Sequence, residues 1–347
     1  MAEVEFKIVA KAPKNEEKEE ELVQVEFNRY LLDTDRKLKY RSRKSEFKPP
    51  LHWGQRKLLL SEIEFLTLYG HLSNTVLYVG AADDKHIAYL AELFPEHKFL
   101  LYDPNKFDEC LYKVSSIKIF KQFFTDDDVQ QYANQNILFI SDIRNMPDDY
   151  VKKFSLNEDD MNDDIESNVK EDMEMQRGWY EKMLPKAAMF KFRLPYTPGK
   201  TEYFAGDILY QAWAPPTSTE TRMILDTEKL YSPETKQFKI KTYDNTDYES
   251  ILYRFNKCTR IQIFPELFKN CYTKGIYKSY DLVSEYHIIS NYLTKYKKCD
   301  ISNLETNICK ITDEISKNLG KDFTEKYEEK KKLHNSNLKK FNAKYHK

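Results

Sequence analysis

Four charged residues stand in short, unusual segments of this chain. They are Lys57 in His52-Trp53-Gly54-Gln55-Arg56-Lys57, Asp142 in Ile140-Ser141-Asp142-Ile143-Arg144, Lys191 in Phe190-Lys191-Phe192-Arg193, and Glu220 in Ser218-Thr219-Glu220. Two amines and two carboxylates are what it takes to remove the proton from a ribose hydroxyl and hold its oxygen against a sulfonium methyl. Such a hydroxyl is a poor nucleophile, so it needs a base and a shielded site. A lysine serves as base when burial or a nearby cation disfavours its ammonium form. Lys57 is the expected neighbour of Lys191, with Asp142 and Glu220 orienting the amines. Any one of the four alone reads as a surface ion pair. The segments lie far apart, so only a fold can bring them together.

The elements between them have a recognisable pattern. Gln55 to Tyr69 carries apolar residues at 58, 59, 60, 63, 65, 66, 68 and 69, which reads as a well-buried helix with Lys57 in its first turn. Thr75-Val76-Leu77-Tyr78-Val79-Gly80 is a buried strand ending in a tight turn, and a helix follows over Lys85 to Phe94. Strands are expected at Lys98 to Asp103, Ile117 to Phe124, Asn136 to Asp142, and Met189 to Leu194, then at Ile208 to Gln211 and Arg222 to Asp226. Alternating strands and helices with polar residues at strand C-termini point to a doubly wound α/β sheet, whose ligands bind outside the carboxyl ends of the strands. From Tyr248 onward the chain reads as helical. The expected organisation is an N-terminal arm over 1–50, partly flexible, a main domain over 51–295 and a Lys-rich helical extension over 296–347. An acidic insertion near 157–174 reads as a surface loop before a helix at Met175–Leu184.

Composition narrows the classes. Of 347 residues 41% are hydrophobic, enough for a large core, and 32% are charged. No apolar run approaches the roughly 20 residues of a membrane helix, so no membrane role is expected. Met1 to Phe6 lacks the basic-then-apolar pattern of a signal peptide. The five cysteines are scattered, with no Cys-x-x-Cys pair or Cys/His cluster; reduced thiols, no metal and an intracellular home are expected. Residues 36–57 hold nine basic side chains against Glu46, with Tyr40, Phe47 and Trp53 interleaved. Cations for phosphates and rings for bases are what single-stranded nucleic acid needs, although a solvated arm has the same composition.

Tyr78-Val79-Gly80 before a helix, with Asp103 ending the next strand, fits a nucleoside cofactor: glycine admits the cofactor to the backbone and the acid takes ribose hydroxyls. Asp83 and Asp84 at the helix start would repel a pyrophosphate, which argues against NAD and is milder toward S-adenosyl-L-methionine. An ordinary turn with capping aspartates fits this segment equally well.

Over about residues 40–295 the chain resembles the poxvirus-type cap-specific mRNA (nucleoside-2′-O-)methyltransferases, which double as the small, regulatory subunit of poly(A) polymerase, and their relatives in other large DNA viruses. The matching segments are Gly54 to Glu62, Val76 to Gly80, Ser141 to Arg144, Lys191 to Arg193, Gln211 to Pro215, Ser218 to Glu220 and Tyr248-Glu249, in that order. The resemblance implies a Rossmann-like methyltransferase sheet with helices on both faces. It implies a Lys-Asp-Lys-Glu tetrad at Lys57, Asp142, Lys191 and Glu220, with Lys191 central. It places S-adenosyl-L-methionine contacts at Gln55, Tyr78, Gly80, Asp84, Asp103, Asn105 and Phe124. Cap and RNA contacts fall on Tyr40, Arg193, Leu194, Pro195, Tyr196, Pro198, Ser218, Thr219, Glu220 and Glu249. The chain departs from the family at Asp84 and Asn105 in the cofactor half, and at Thr217 and Pro198 in the cap half. The implied activity is methyl transfer to the ribose 2′-hydroxyl of the first transcribed nucleotide of capped mRNA. The implied partner is a poly(A) polymerase catalytic subunit, and the implied setting is the host cytoplasm, its viral factories, and the virion. A non-catalytic, RNA-gripping processivity subunit is the rival reading. An N7-guanine methyltransferase is disfavoured, because guanine N7 needs no lysine base.

Overall fold

The computed structural model describes residues 27–40, 54–82, 85–144, 158–215, 217–260 and 280–319. In chain order the elements are α1 (Gly54–Tyr69), β1 (Thr75–Val79), α2 (His86–Leu93), β2 (Lys98–Tyr102), β3 (Ile117–Phe120), α3 (Asp126–Tyr132), β4 (Leu138–Ser141), α4 (Glu158–Met183) and β5 (Ala187–Phe192). Then come β6 (Lys200–Phe204), β7 (Asp207–Leu209), β8 (Thr221–Asp226), α5 (Thr227–Leu230), β9 (Tyr231–Ser232), β10 (Gln237–Phe238), β11 (Ile240–Asp244), α6 (Asn245–Arg254), α7 (Tyr280–Asn291) and α8 (Leu304–Asn318).

Seven strands form one sheet in the order β3-β2-β1-β4-β5-β8-β7. The first five are parallel, while β8 runs antiparallel to both β5 and β7. β1 and β4 are buried almost throughout, which is why they read as unbroken apolar runs in the sequence. Right-handed crossovers put the helix between β1 and β2 on one face and those preceding β4 and β5 on the other. The packing agrees: α1 lies against α2 and α7, and α3 lies against α4. This is the Rossmann-like sheet the sequence predicts, and the strand order reverses between β1 and β4, where such folds hold their ligands.

Three elements depart from the sequence reading. The acidic stretch near 157–174 is not a loop but the first part of α4. Val169, Met173, Gln176, Tyr180 and Met183 are buried at spacings of three and four, giving the helix an apolar stripe that its charge obscures. Acids early in a helix also meet the positive end of its dipole. Two of them are buried and paired: Glu166 with Arg193 at 2.9 Å and Asp172 with Arg144 at 3.3 Å. The strand expected over Ile117–Phe124 stops at Phe120, because Thr125 and Asp128 form a reciprocal cap that starts α3. The antiparallel pair β6–β11 has no counterpart in the expected elements.

Buried ion pairs fasten the segments flanking the sheet. Arg29 donates to Glu64 of α1 through Nε at 3.0 Å and Nη2 at 2.6 Å, and Tyr30 bridges to Leu209 at the sheet edge. Arg56 of α1 pairs with Glu285 of α7, donating through Nε at 2.8 Å, and its Nη1 reaches Ser316 of α8 at 3.1 Å. Breaking such a pair by removing one partner costs about 3–5 kcal/mol. Ile308, Ile311 and Ile315 bury the inner stripe of α8. Cys110, Cys258 and Cys299 are free thiols, whereas Cys309 is disulfide-bonded, which corrects the expectation of reduced thiols throughout. Among the described residues no helix is long and apolar enough to cross a membrane.

Candidate active site

The carboxyl ends of the parallel strands meet the start of β8 along one edge of the sheet. Asp142 directly follows β4, Lys191 is the penultimate residue of β5, and Glu220 directly precedes β8. Lys57 reaches the same edge from the first turn of α1. Its Nζ donates to Glu220 Oε1 at 2.5 Å, while Lys191 Nζ donates to Asp142 Oδ2 and to the Asp142 carbonyl, each at 3.2 Å. The side chains retain between 11% and 18% of their exposure, enough for a substrate to touch and too little for bulk water to screen them. The four residues expected to act together are therefore brought together as two adjoining ion pairs.

A fifth charge joins the pairs. Arg222 lies opposite Lys191 in the β5–β8 register, so both side chains rise on one face. Two cations directly opposite would repel; Asp142 sits between them, accepting from Arg222 Nη1 at 2.5 Å through its other oxygen. Arg222 Nη2 lies 3.7 Å from Glu220 Oε1. Gln211 completes the link: its Oε1 accepts from Arg222 Nε at 2.9 Å and its Nε2 donates to Glu220 Oε1 at 3.1 Å. Burial alone would push the Asp142 carboxyl upward, but Arg222 and then Lys191 outweigh it and hold it below the usual carboxylate range. Glu220 is likewise held well below that range, with Lys57, Lys191 and Arg222 overcoming burial. Arg222 and Gln211 were not among the expected site residues. The alternation of a strand offered the signal for Arg222, since residues two apart share a face and Glu220 was already singled out.

The cofactor half lies beside this cluster. Gly80 takes φ +81°, and a Cβ there would stand 2.8 Å from Ile143 N and 2.9 Å from Asp142 C, so the β1 turn touches the end of β4. Asp103 directly follows β2, its carboxylate fixed by two backbone donors, Ala82 N to Oδ2 at 3.1 Å and Asn105 N to Oδ1 at 2.8 Å. Each oxygen has a second lone pair for a ribose hydroxyl, so a glycine turn and an oriented acid fit a nucleoside. Gln55 Oε1 lies 2.8 Å from His86 Nδ1, and Tyr78 Oη donates to Glu62 at 2.8 Å, next to His86 Nε2. His86 and Glu62, missed in the sequence, build the wall that holds these two expected contacts. Phe124 is buried among Tyr102, Tyr132 and Trp179, while its neighbour Phe123 is exposed. Asp84 lies outside the described residues.

Beside Glu220, where Thr219 meets Tyr196, is an aromatic platform. Tyr196 is 45% exposed, the Arg193 guanidinium lies 4.2 Å from its ring centre, and Thr219 Oγ1 donates to its hydroxyl at 2.9 Å. Ser218 Oγ accepts from the Glu220 amide at 3.1 Å and so shapes the turn before the cluster. Glu249 of α6 is half-buried; burial first and Glu166 second raise its carboxyl above the ordinary range, against Arg193. Tyr40 packs edge-on against Tyr253, one helical turn beyond Glu249. Leu194 and Pro195 are buried, whereas Pro198 is exposed.

Residues 28–321 match the family described as poly A polymerase regulatory subunit. Two relatives, both named cap-specific mRNA (nucleoside-2′-O-)-methyltransferase, come from Myxoma virus strains Lausanne and Uriarra. Each is 26% identical over 255 residues, covering 69% of this chain and 69% of its own. A solved structure titled "Structure of an antibiotic related Methyltransferase" covers 45% of this chain and 69% of its own, at 17% identity and a TM-score of 0.19. That likeness is too slight to bear on the fold, which rests on its own strand order. A match spanning nearly the whole described chain decides the matter of descent: the chain belongs to the poly A polymerase regulatory subunit family.

Proposed function

We propose that this chain transfers a methyl group from S-adenosyl-L-methionine to the ribose 2′-hydroxyl of the first transcribed nucleotide of capped mRNA. The observation that carries the reading is the meeting of Lys57, Asp142, Lys191 and Glu220 at the carboxyl edge of the sheet, with a nucleoside-fitting turn next to Asp142 and an aromatic ring next to Thr219.

Gly80, Asp103, Gln55 and Tyr78 would hold S-adenosyl-L-methionine, which when bound supplies a methyl group on a sulfonium sulfur. Lys191 takes the proton of the 2′-hydroxyl on Nζ. The three cations Lys57, Lys191 and Arg222 outnumber the carboxylates Asp142 and Glu220. The Lys191 amine stands among these charges, 3.2 Å from Asp142 Oδ2. Asp142 aims that amine, and Glu220 aims Lys57. The rest is alignment, where positioning contributes about 7–11 kcal/mol. Tyr196 and Glu249 would take the cap guanine, because rings and an acid suit a cationic purine.

The family supports a second role in the same reading, partnership with a poly(A) polymerase catalytic subunit as a heterodimer. The host cytoplasm, its viral factories, and the virion are the proposed setting. A non-catalytic processivity subunit is the alternative, favoured by the departures at Asp84 and Asn105. Radiolabelled methyl transfer to capped and uncapped RNA tests the choice: label on capped RNA alone is expected. No transfer to either, with no heat on titrating S-adenosyl-L-methionine, would leave the alternative standing.

A further inference from the structure

We infer that Glu166 is a positioning residue that lets the Tyr196 platform accept a positively charged base, and so sets the preference for N7-methylated over unmethylated guanine. The inference rests on the cap reading above and concerns a residue outside every segment of the resemblance.

Tyr196 offers an exposed ring, but the ring is backed by a cation. The Arg193 guanidinium sits 4.2 Å from its centre, and Arg193 is only 9% exposed. A neutral base stacking on a ring is indifferent to a charge behind it. A cationic base is not: it would face Arg193 across one ring thickness, where water cannot screen the pair. An arginine left alone in this place would select against the methylated cap.

Glu166 removes that conflict. From the buried side of α4 its Oε1 accepts from Arg193 Nη2 at 2.9 Å, and its Oε2 accepts from the backbone N–H of Tyr196 at 2.8 Å. One carboxylate thus neutralises the cation and fixes the residue that carries the ring. Arg193 Nη1 is buried with no hydrogen-bond partner among the described residues, so Glu166 supplies its hydrogen-bonded charge compensation. Glu249 faces the same pair from α6. With Glu166 paired to Arg193, the support beneath the ring carries no net charge, and a methylguanine meets no net repulsion.

The test is titration of the full chain with 7-methyl-GTP and with GTP, followed by calorimetry, for wild type, Glu166→Gln and the double variant Glu166→Gln/Arg193→Met. Wild type is expected to bind the methylated nucleotide more tightly. Glu166→Gln should lower the ratio of the two affinities on the order of tenfold while moving GTP affinity less than about twofold. The double variant, which removes the uncompensated cation, should restore the ratio; a purely structural role predicts no such rescue. Equal weakening of both nucleotides in Glu166→Gln, or an unchanged ratio, would overturn the inference while leaving the cap reading intact. Failure of wild type to bind either nucleotide would overturn the cap reading, and the inference with it.

Discussion

Replacing Arg222 with methionine removes the guanidinium that joins the two ion pairs. Its side chain is 2% exposed and approaches Asp142 to 2.5 Å. Lys37 approaches Asp247 to the same 2.5 Å, but those side chains are 43% and 51% exposed. Burial, not distance, decides the outcome. A half-exposed pair contributes about 0–1 kcal/mol, whereas removing one partner of a buried pair costs about 3–5 kcal/mol. Asp142 keeps Lys191 at 3.2 Å, which places the expected loss near the lower end, about 3 kcal/mol. For a domain of this size that is a fall of roughly 6–12 °C in Tm, short of unfolding at 25 °C. Arg222 is also the strongest attraction holding the Asp142 carboxyl down, so in the variant that carboxyl should titrate at higher pH. Thermal unfolding and an NMR titration of the Asp142 carboxyl carbon measure the two effects, with Lys37→Met as the exposed control. Equal stability of the two variants, with an unmoved titration, would refute the reasoning.

Lys191→Ala should abolish methyl transfer while S-adenosyl-L-methionine binding stays near wild type by calorimetry, because Lys191 contacts Asp142 and not the glycine turn. Gly80→Ala should do the reverse of sparing that binding: φ +81° disfavours a side chain and the new Cβ strikes backbone at 2.8 Å, so cofactor affinity should fall at least tenfold with a lower Tm. Asp142 and Glu220 are held low in the fold, so their contribution to stability is full above the ordinary carboxylate pKa of about 4 and is lost as pH falls through their lower folded values. Denaturation followed from pH 7 to pH 3 should steepen below about pH 4. In Asp142→Asn/Glu220→Gln that slope should flatten, and an unchanged slope would reject the assignment.

The sequence made some of this legible for physical reasons and hid the rest. Continuous burial on both faces writes itself as unbroken apolar runs, which is why β1 and β4 stand out, each leading to a residue of the site. Pairing across distance leaves no such mark. Arg222 is one of many arginines until the register sets it opposite Lys191. Glu166 hides in an acidic run whose apolar stripe is diluted by exposed charge. Thr125 and Asp128 show the opposite case, a local cap that is readable in the sequence and fixes the helix start directly after the stretch read as strand. His86 and Glu62 are polar groups on buried faces, and only tertiary packing brings His86 Nε2 to 2.9 Å from Glu62 Oε1.

Helix α1 carries Lys57 at one end and is held at two points from remote parts of the chain, by Arg29 at Glu64 and by Glu285 and Ser316 at Arg56. The amine is thereby fixed by both flanks of the polypeptide rather than by its own neighbours. Trimming either flank would leave a buried charge stranded inside this helix, and the reach of Lys57 toward Glu220 would loosen although Asp142, Lys191 and Glu220 were all still in place.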